Sequence, residues 1–190
     1  MEVKKITNTF LKERMDKEDN KFIESAIQNK EVKYIFRTKV LNWFEENIKT
    51  RDFTKMYNAI IECNPEIFEE ELADVLLESI SFNDAYENFY HGFVTGILSS
   101  MKGYTIKSNR ESGNGRGDIF IRPVSRRKAA IILELKVCKN FNELEQRADD
   151  ALKQIEEKKY EIELKDDGCN NIIKYGISFF KKDCLIKIKE

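Results

Sequence analysis

Three polar residues interrupt two otherwise apolar runs. Glu134 and Lys136 stand inside IILELKV, and Asp118 opens DIFIR. Charge inside a buried strand is costly unless something holds it, so these positions need a reason. Two neighbouring carboxylates bind a hard divalent cation, which offsets their mutual repulsion. Such an ion engages a phosphate oxygen and lowers the pKa of a bound water. A lysine beside it can orient or help deprotonate that water, and can stabilise charge developing at phosphorus. Desolvation would lower the pKa of Lys136 and the carboxylates would raise it, and both directions stay open. Taken alone, Glu134-x-Lys136 reads first as a surface ion pair.

The case for chemistry rests on the elements that must carry these residues. A hairpin with its loop at Val124 to Lys128 and Arg126 at the centre has an ordinary length. It sets Arg122 opposite Ala130, Phe120 opposite Ile132 and Asp118 opposite Glu134. Side chains alternate along a strand, so Asp118, Glu134 and Lys136 share one face. Ile119, Ile121, Ile131, Leu133 and Leu135 fill the other. A slip of one residue would expose the isoleucines, so the apolar pattern selects this register.

Around the hairpin the periodicity changes twice. Residues 1–80 read as helices only, with Tyr34, Phe36, Val40, Phe44 and Ile48 on one face and Phe53, Met56, Tyr57, Ile60 and Ile61 continuing the spacing. Asn64-Pro65 has the form of an N-cap followed by proline at the first helical position. The next helix buries Phe68, Leu72, Val75 and Leu76. After Ser81, DAYENFYHGFVTGILSSM forms a helix with Phe89, Phe93 and Ile97 on one side. Tyr104 to Lys107 is a short strand, ESGNGRG a glycine-rich turn, Asp118 to Arg122 a second strand and Ala129 to Cys138 a third. Phe141 to Tyr160 is a long amphipathic helix. Strands at Ile172 to Phe179 and Leu185 to Ile188 close the chain.

Composition narrows the chemistry. The chain has 190 residues, net charge −1, one histidine and four cysteines without C-x-x-C spacing. His-rich metal sites are excluded, and no G-x-S-x-G motif accompanies His91. A metal must therefore be held mainly by oxygen, which favours Mg²⁺ or Mn²⁺. GNGRG lacks the Lys-Ser/Thr of a P-loop. The scattered thiols and the absence of an apolar leader or long apolar run point to a cytoplasmic protein with no membrane span. Lys102, Lys107, Arg110, Arg116, Arg122, Arg126, Arg127 and Lys128 crowd one segment, as a phosphate-binding surface or a solvated basic face.

Asp118, then Glu134-Leu135-Lys136, in helix-strand-strand-strand-helix-strand order, resembles the PD-(D/E)xK nuclease superfamily. ENFYHGF, SNRESGNGRGDI, IILELKV, ALKQIEEKKY and KYGISF are similar to the nuclease domain found C-terminal to AAA-ATPase-like domains in prokaryotic proteins. The resemblance implies an α/β fold with a restriction-endonuclease-like αβββαβ core, its central mixed sheet flanked by helices, as residues 81–190. An all-helical segment, 1–80, would precede it. It implies a metal-dependent nuclease hydrolysing phosphodiester bonds in nucleic acid, DNA foremost. Asp118, Glu134 and Glu87 would bind the metal, Lys136 would be the catalytic lysine, and Gln154 would support the site. Arg116 and Tyr160 would touch substrate. Gly117 replaces the usual proline before the aspartate. Each assignment has a plainer alternative: a Glu87–His91 helix pair, a surface amide at Gln154, a core aromatic at Tyr160, a solvated turn at Arg116. A noncatalytic nucleic-acid- or protein-binding module stays open as well. So do a homodimer and an ATPase domain or subunit as partners.

Overall fold

The computed structural model describes residues 51–79, 87–112 and 115–189. Helices α1 (Thr54–Ile61), α2 (Pro65–Ser79) and α3 (Glu87–Leu98) come first. The α2 start follows the sequence signal, with Asn64 Oδ1 accepting the Ile67 N–H at 3.1 Å. Strands β1 (Tyr104–Ser112), β2 (Gly115–Pro123) and β3 (Ala130–Val137) follow. A 3-10 turn (Phe141–Glu143) leads into α4 (Leu144–Lys158) and the short α5 (Glu161–Asp166). Strands β4 (Ile172–Phe180) and β5 (Asp183–Lys189) end the fold.

The sheet order is β1-β2-β3-β4-β5. Neighbours are antiparallel except β3 and β4, which are parallel. That exception is forced, because a parallel pair needs a crossover and α4 provides it. The expected mixed sheet flanked by helices is therefore the fold observed. No helix among the described residues is long and apolar enough to cross a membrane.

Each face of the sheet has its own cover. On one, Phe120, Ala130, Ile132 and Ile172 pack with Ile155, Tyr160 and Leu164 from the α4–α5 region. On the other, Tyr175 meets Phe68 of α2 edge-on at 5.6 Å, and its hydroxyl donates to the Ile60 carbonyl at 3.0 Å. Tyr90 of α3 stacks on Phe179 at 4.4 Å. Burying each such aromatic contributes roughly 1.5–3 kcal/mol. Helices α1 and α2 lie within the compact unit Asp52–Glu190.

Two boundaries differ from the sequence reading. The first hairpin is longer: its ladder runs from Tyr104↔Pro123 out to Ser112↔Gly115, through the stretch expected to be a glycine-rich turn. Residues 108–118 contain no apolar side chain, so no alternation announced a strand that backbone hydrogen bonds alone define. The helix expected over Phe141 to Tyr160 begins as a 3-10 turn and stops at Lys159. That residue adopts a left-handed conformation (φ 53°) and donates to the Ile155 and Glu156 carbonyls.

Candidate active site

The apolar pattern fixes the strand that carries the site. Ile119↔Leu133, Phe120↔Ile132 and Ile121↔Ile131 are the β2–β3 pairs, which is the register the sequence selects. Continued by one residue, it sets Asp118 opposite Glu134. On the other side of β3, Glu134 pairs with Gly176 and Lys136 with Ser178.

Glu134 is only 2% exposed, whereas the Lys136 side chain keeps 25% of its surface open. The carboxylate therefore lies inside the fold and the ammonium at its rim. Lys136 Nζ donates to Glu134 Oε1 at 3.0 Å and to Gln154 Oε1 at 2.6 Å. Gln154 Nε2 donates to Glu134 Oε1 and, at 3.0 Å, to the Tyr160 hydroxyl. An ammonium only donates and a carboxylate only accepts. The amide of Gln154 thus has one orientation that serves both, oxygen to Lys136 and nitrogen to Glu134. Charge-assisted bonds of this kind are what allow an ion pair to be buried.

Gln154 projects from α4, and its position depends on how closely that helix approaches β4. A Cβ placed on Gly176 would come closer than 3.0 Å to the Ala148 carbonyl oxygen, and would meet Leu152 Cγ at 3.0 Å and Ala151 Cβ at 3.1 Å. Glycine is what lets the helix backbone rest on the strand beside Glu134. Two residues on, the buried Ser178 donates its hydroxyl to the Leu144 carbonyl at 2.7 Å. Both fasten α4 directly behind Glu134 and Lys136. Sequence reasoning singled out neither residue. Their signal was two small residues at i and i+2 in the otherwise bulky strand KYGISF.

Tyr160 is 1% exposed. Its ring lies against Phe120 at 6.2 Å and its hydroxyl accepts from Gln154, so the expected direct contact with substrate is replaced by a contact with the amide. The left-handed Lys159 turns the chain so that Tyr160 folds back into the core. Glu87 opens α3, and Arg116 and Asp118 sit on β2; their side chains lie outside the described residues.

The basic segment is partly spent on structure. Arg122 pairs with Glu163 and Asp167 from α5 and the residue after it. Lys128 Nζ sits over the Tyr104 ring at 5.4 Å. Lys102, Arg126 and Arg127 are exposed. Among the described residues no three His, Cys, Asp or Glu side chains cluster as a metal site. Among the described residues of the network, Glu134 offers a hard anionic oxygen, the donor type that Mg²⁺ and Mn²⁺ take. A full ligand set would draw on Asp118 and Glu87.

No curated protein matches the chain. The family model of the PD-(D/E)XK nuclease superfamily matches residues 85–189. This match takes in α3, all five strands and the Glu134–Lys136–Gln154–Tyr160 network. It covers more than half of the sequence, and the chain belongs to the PD-(D/E)XK nuclease superfamily.

Proposed function

We propose that the protein is a metal-dependent nuclease that hydrolyses phosphodiester bonds in DNA. The observation that carries this reading is the buried Glu134 carboxylate, bonded to a Lys136 ammonium that Gln154 holds at the rim of the fold. Glu134 and Asp118, assisted by Glu87, would hold Mg²⁺ or Mn²⁺. When bound, that ion supplies Lewis acidity toward a phosphate oxygen and acidifies a bound water. Lys136 orients the attacking water and stabilises charge as it develops at phosphorus. Gln154 keeps Lys136 from swinging away, and Tyr160 keeps Gln154 in place. Arg116 would contact a substrate phosphate.

Labelled DNA, single- and double-stranded, incubated with Mg²⁺ or Mn²⁺ tests this. Cleavage should fall by at least about 100-fold in Glu134→Ala and in Lys136→Ala, the scale of removing one transition-state stabiliser. Intact DNA under both metals, with folded wild-type protein, refutes it. A noncatalytic binding module is the second reading, favoured by the engagement of Arg122 with Glu163 and Asp167 in place of phosphate. Calorimetry decides: Mg²⁺ heat abolished by Glu134→Ala supports the nuclease, and no metal binding supports the module.

The four free cysteines accord with a cytoplasmic setting. Residues 81–190 would be the catalytic domain. Within the helical segment 1–80, the stretch from about Asn29 to Ile80 is similar to the segment that joins such a domain to an ATPase-like domain, and would be a joint to an ATPase domain or subunit, or to a second copy.

A further inference from the structure

Beyond Lys136 the same face of the sheet ends in two aromatic rings. Ser178, the partner of Lys136, is followed two residues later by Phe180, which alternation returns to the face of Lys136. The separation is roughly 7 Å along the strand. Phe141, from the 3-10 turn ahead of α4, meets Phe180 edge-on at 6.3 Å and is 57% exposed. Lys181 Nζ lies 5.1 Å from the centroid of the Phe180 ring.

A lone exposed phenylalanine says little. Here the ring belongs to a pair with a cation on it, and the pair is braced. The Lys181 carbonyl accepts the Tyr90 hydroxyl at 2.6 Å, and Lys182 Nζ donates to the Leu77 carbonyl at 2.8 Å. Lys181 is left-handed (φ 56°), a conformation that glycine or asparagine would adopt more cheaply. Lys139 and Asn140 border Phe141. The nearby acid Glu143 accepts the Lys139 N–H at 3.2 Å and the Asn140 amide at 2.9 Å. Lys139 and Lys181 are exposed beside the rings, whereas the Lys182 ammonium is spent on the Leu77 carbonyl.

We infer that Phe141 and Phe180, with Lys181, form a stacking platform for an unpaired nucleotide strand leading to or from Lys136. It rests on the nuclease reading and deepens it: the substrate presents a single-stranded segment. Bases offer a flat π-face whatever their sequence, and the exposed Lys139 and Lys181 would meet the phosphates between them. A paired base cannot stack on these rings without leaving its duplex, so the platform discriminates against intact double strands.

Fluorescence anisotropy of labelled oligodeoxyuridine, oligouridine and a blunt duplex tests this on the full chain in EDTA, where binding is read without cleavage. Single strands should bind more tightly than the duplex. Phe141→Ala and Phe141→Leu should weaken single-strand binding by about fivefold or more. Phe141→Trp should restore it, and duplex binding should not change. The ratio of oligodeoxyuridine to oligouridine affinity, strands that differ only at the 2′ position, assigns the sugar. Equal single-strand affinity in wild type and Phe141→Leu overturns the platform. So does a chain that binds no single strand and self-associates through these rings instead. Cleavage assays separate the two readings. Metal-dependent cleavage with Phe141-independent binding defeats the platform alone. Phe141-dependent binding without cleavage under either metal defeats the nuclease alone and leaves the platform standing.

Discussion

Replacing Gly176 by alanine adds one methyl group at the contact that seats α4. In an ordinary strand this change is favourable, because glycine costs roughly 0.5–1 kcal/mol relative to alanine. Here the sign reverses. The new Cβ would meet the Ala148 carbonyl oxygen inside 3.0 Å, where ordinary contact begins at 3.4 Å, with Leu152 and Ala151 crowding at 3.0 and 3.1 Å. The obstacle is backbone on both sides, so no side-chain rotation relieves it. The helix must lift by on the order of 1 Å, at an overpacking cost of about 1–3 kcal/mol.

The lift has a chemical consequence. Gln154 rides on α4, and its bond to Lys136 is 2.6 Å long. A displacement on the order of 1 Å takes it past hydrogen-bonding range. Misplacement of this size can cost about 100-fold in rate. Urea denaturation should show Gly176→Ala losing stability by about 1–3 kcal/mol, and cleavage at a temperature where the variant stays folded should fall by at least about tenfold. Adding Leu152→Ala should rescue neither, because the decisive clash is with a carbonyl. A Gly176→Ala protein as stable and as active as wild type refutes the argument that this contact positions the site.

Other consequences follow from the same contacts. Gln154→Leu removes the acceptor that holds Lys136 but keeps the side chain's bulk; cleavage should drop about 10–100-fold with a melting temperature little changed, and a melting temperature that falls in step with activity would reduce Gln154 to a structural role. Burial, with Asp52 adding repulsion, pushes the Tyr57 hydroxyl from 10.0 up to about 12. The unfolded state then deprotonates first as pH rises, so stability should decline between pH 10 and about 12, and Tyr57→Phe should lessen that decline in alkaline unfolding curves. Burial also raises the thiols of Cys138 and Cys184, Cys184 well above the usual cysteine range, aided by Glu69 and Asp183. Timed alkylation of native protein read by peptide mapping should modify the half-buried Cys63 first and Cys184 last, and early labelling of Cys184 would contradict its burial.

What the sequence revealed and what it hid divide along physical lines. The register of β2 on β3 was legible from the hairpin length and the alternation of Ile119, Ile121, Ile131, Leu133 and Leu135, although the other face, with Phe120, Ala130 and Ile132, is buried as well. The crossover helix was legible from Leu144, Ala148, Ala151, Leu152 and Ile155, of which all but the half-buried Leu152 are buried. Gln154 and Tyr160 entered through a resemblance, since nothing in helical spacing tells a site amide from a surface one. The outer half of the β1–β2 hairpin was hidden because its strands carry no apolar alternation. Arg122 was counted with a basic surface because composition sums charges without naming partners. Its acids lie on α5, remote in sequence, and only the folded chain brings them together. Gly176 and Ser178 act through a helix folded back from earlier in the chain, so their roles are tertiary by nature.

A carboxylate that is 2% exposed sits in the fold at a cost, and the residues that offset it are the ones chemistry needs. Lys136 neutralises Glu134 and reaches the rim. Gln154 satisfies Glu134 and restrains Lys136. Tyr160 restrains Gln154 and fills the core against Phe120. Each group thus has a structural task and, in the proposed function, a catalytic one, and the tasks pull apart at Gln154. Its amide must stand within hydrogen-bond range of three partners at once, a condition set by the seat of α4 on Gly176 and Ser178. The packing around that seat can yield by an ångström without unfolding the sheet, whereas the network cannot yield so far without losing a bond. Perturbations of the α4–β4 contact should therefore uncouple Lys136 before they unfold the protein.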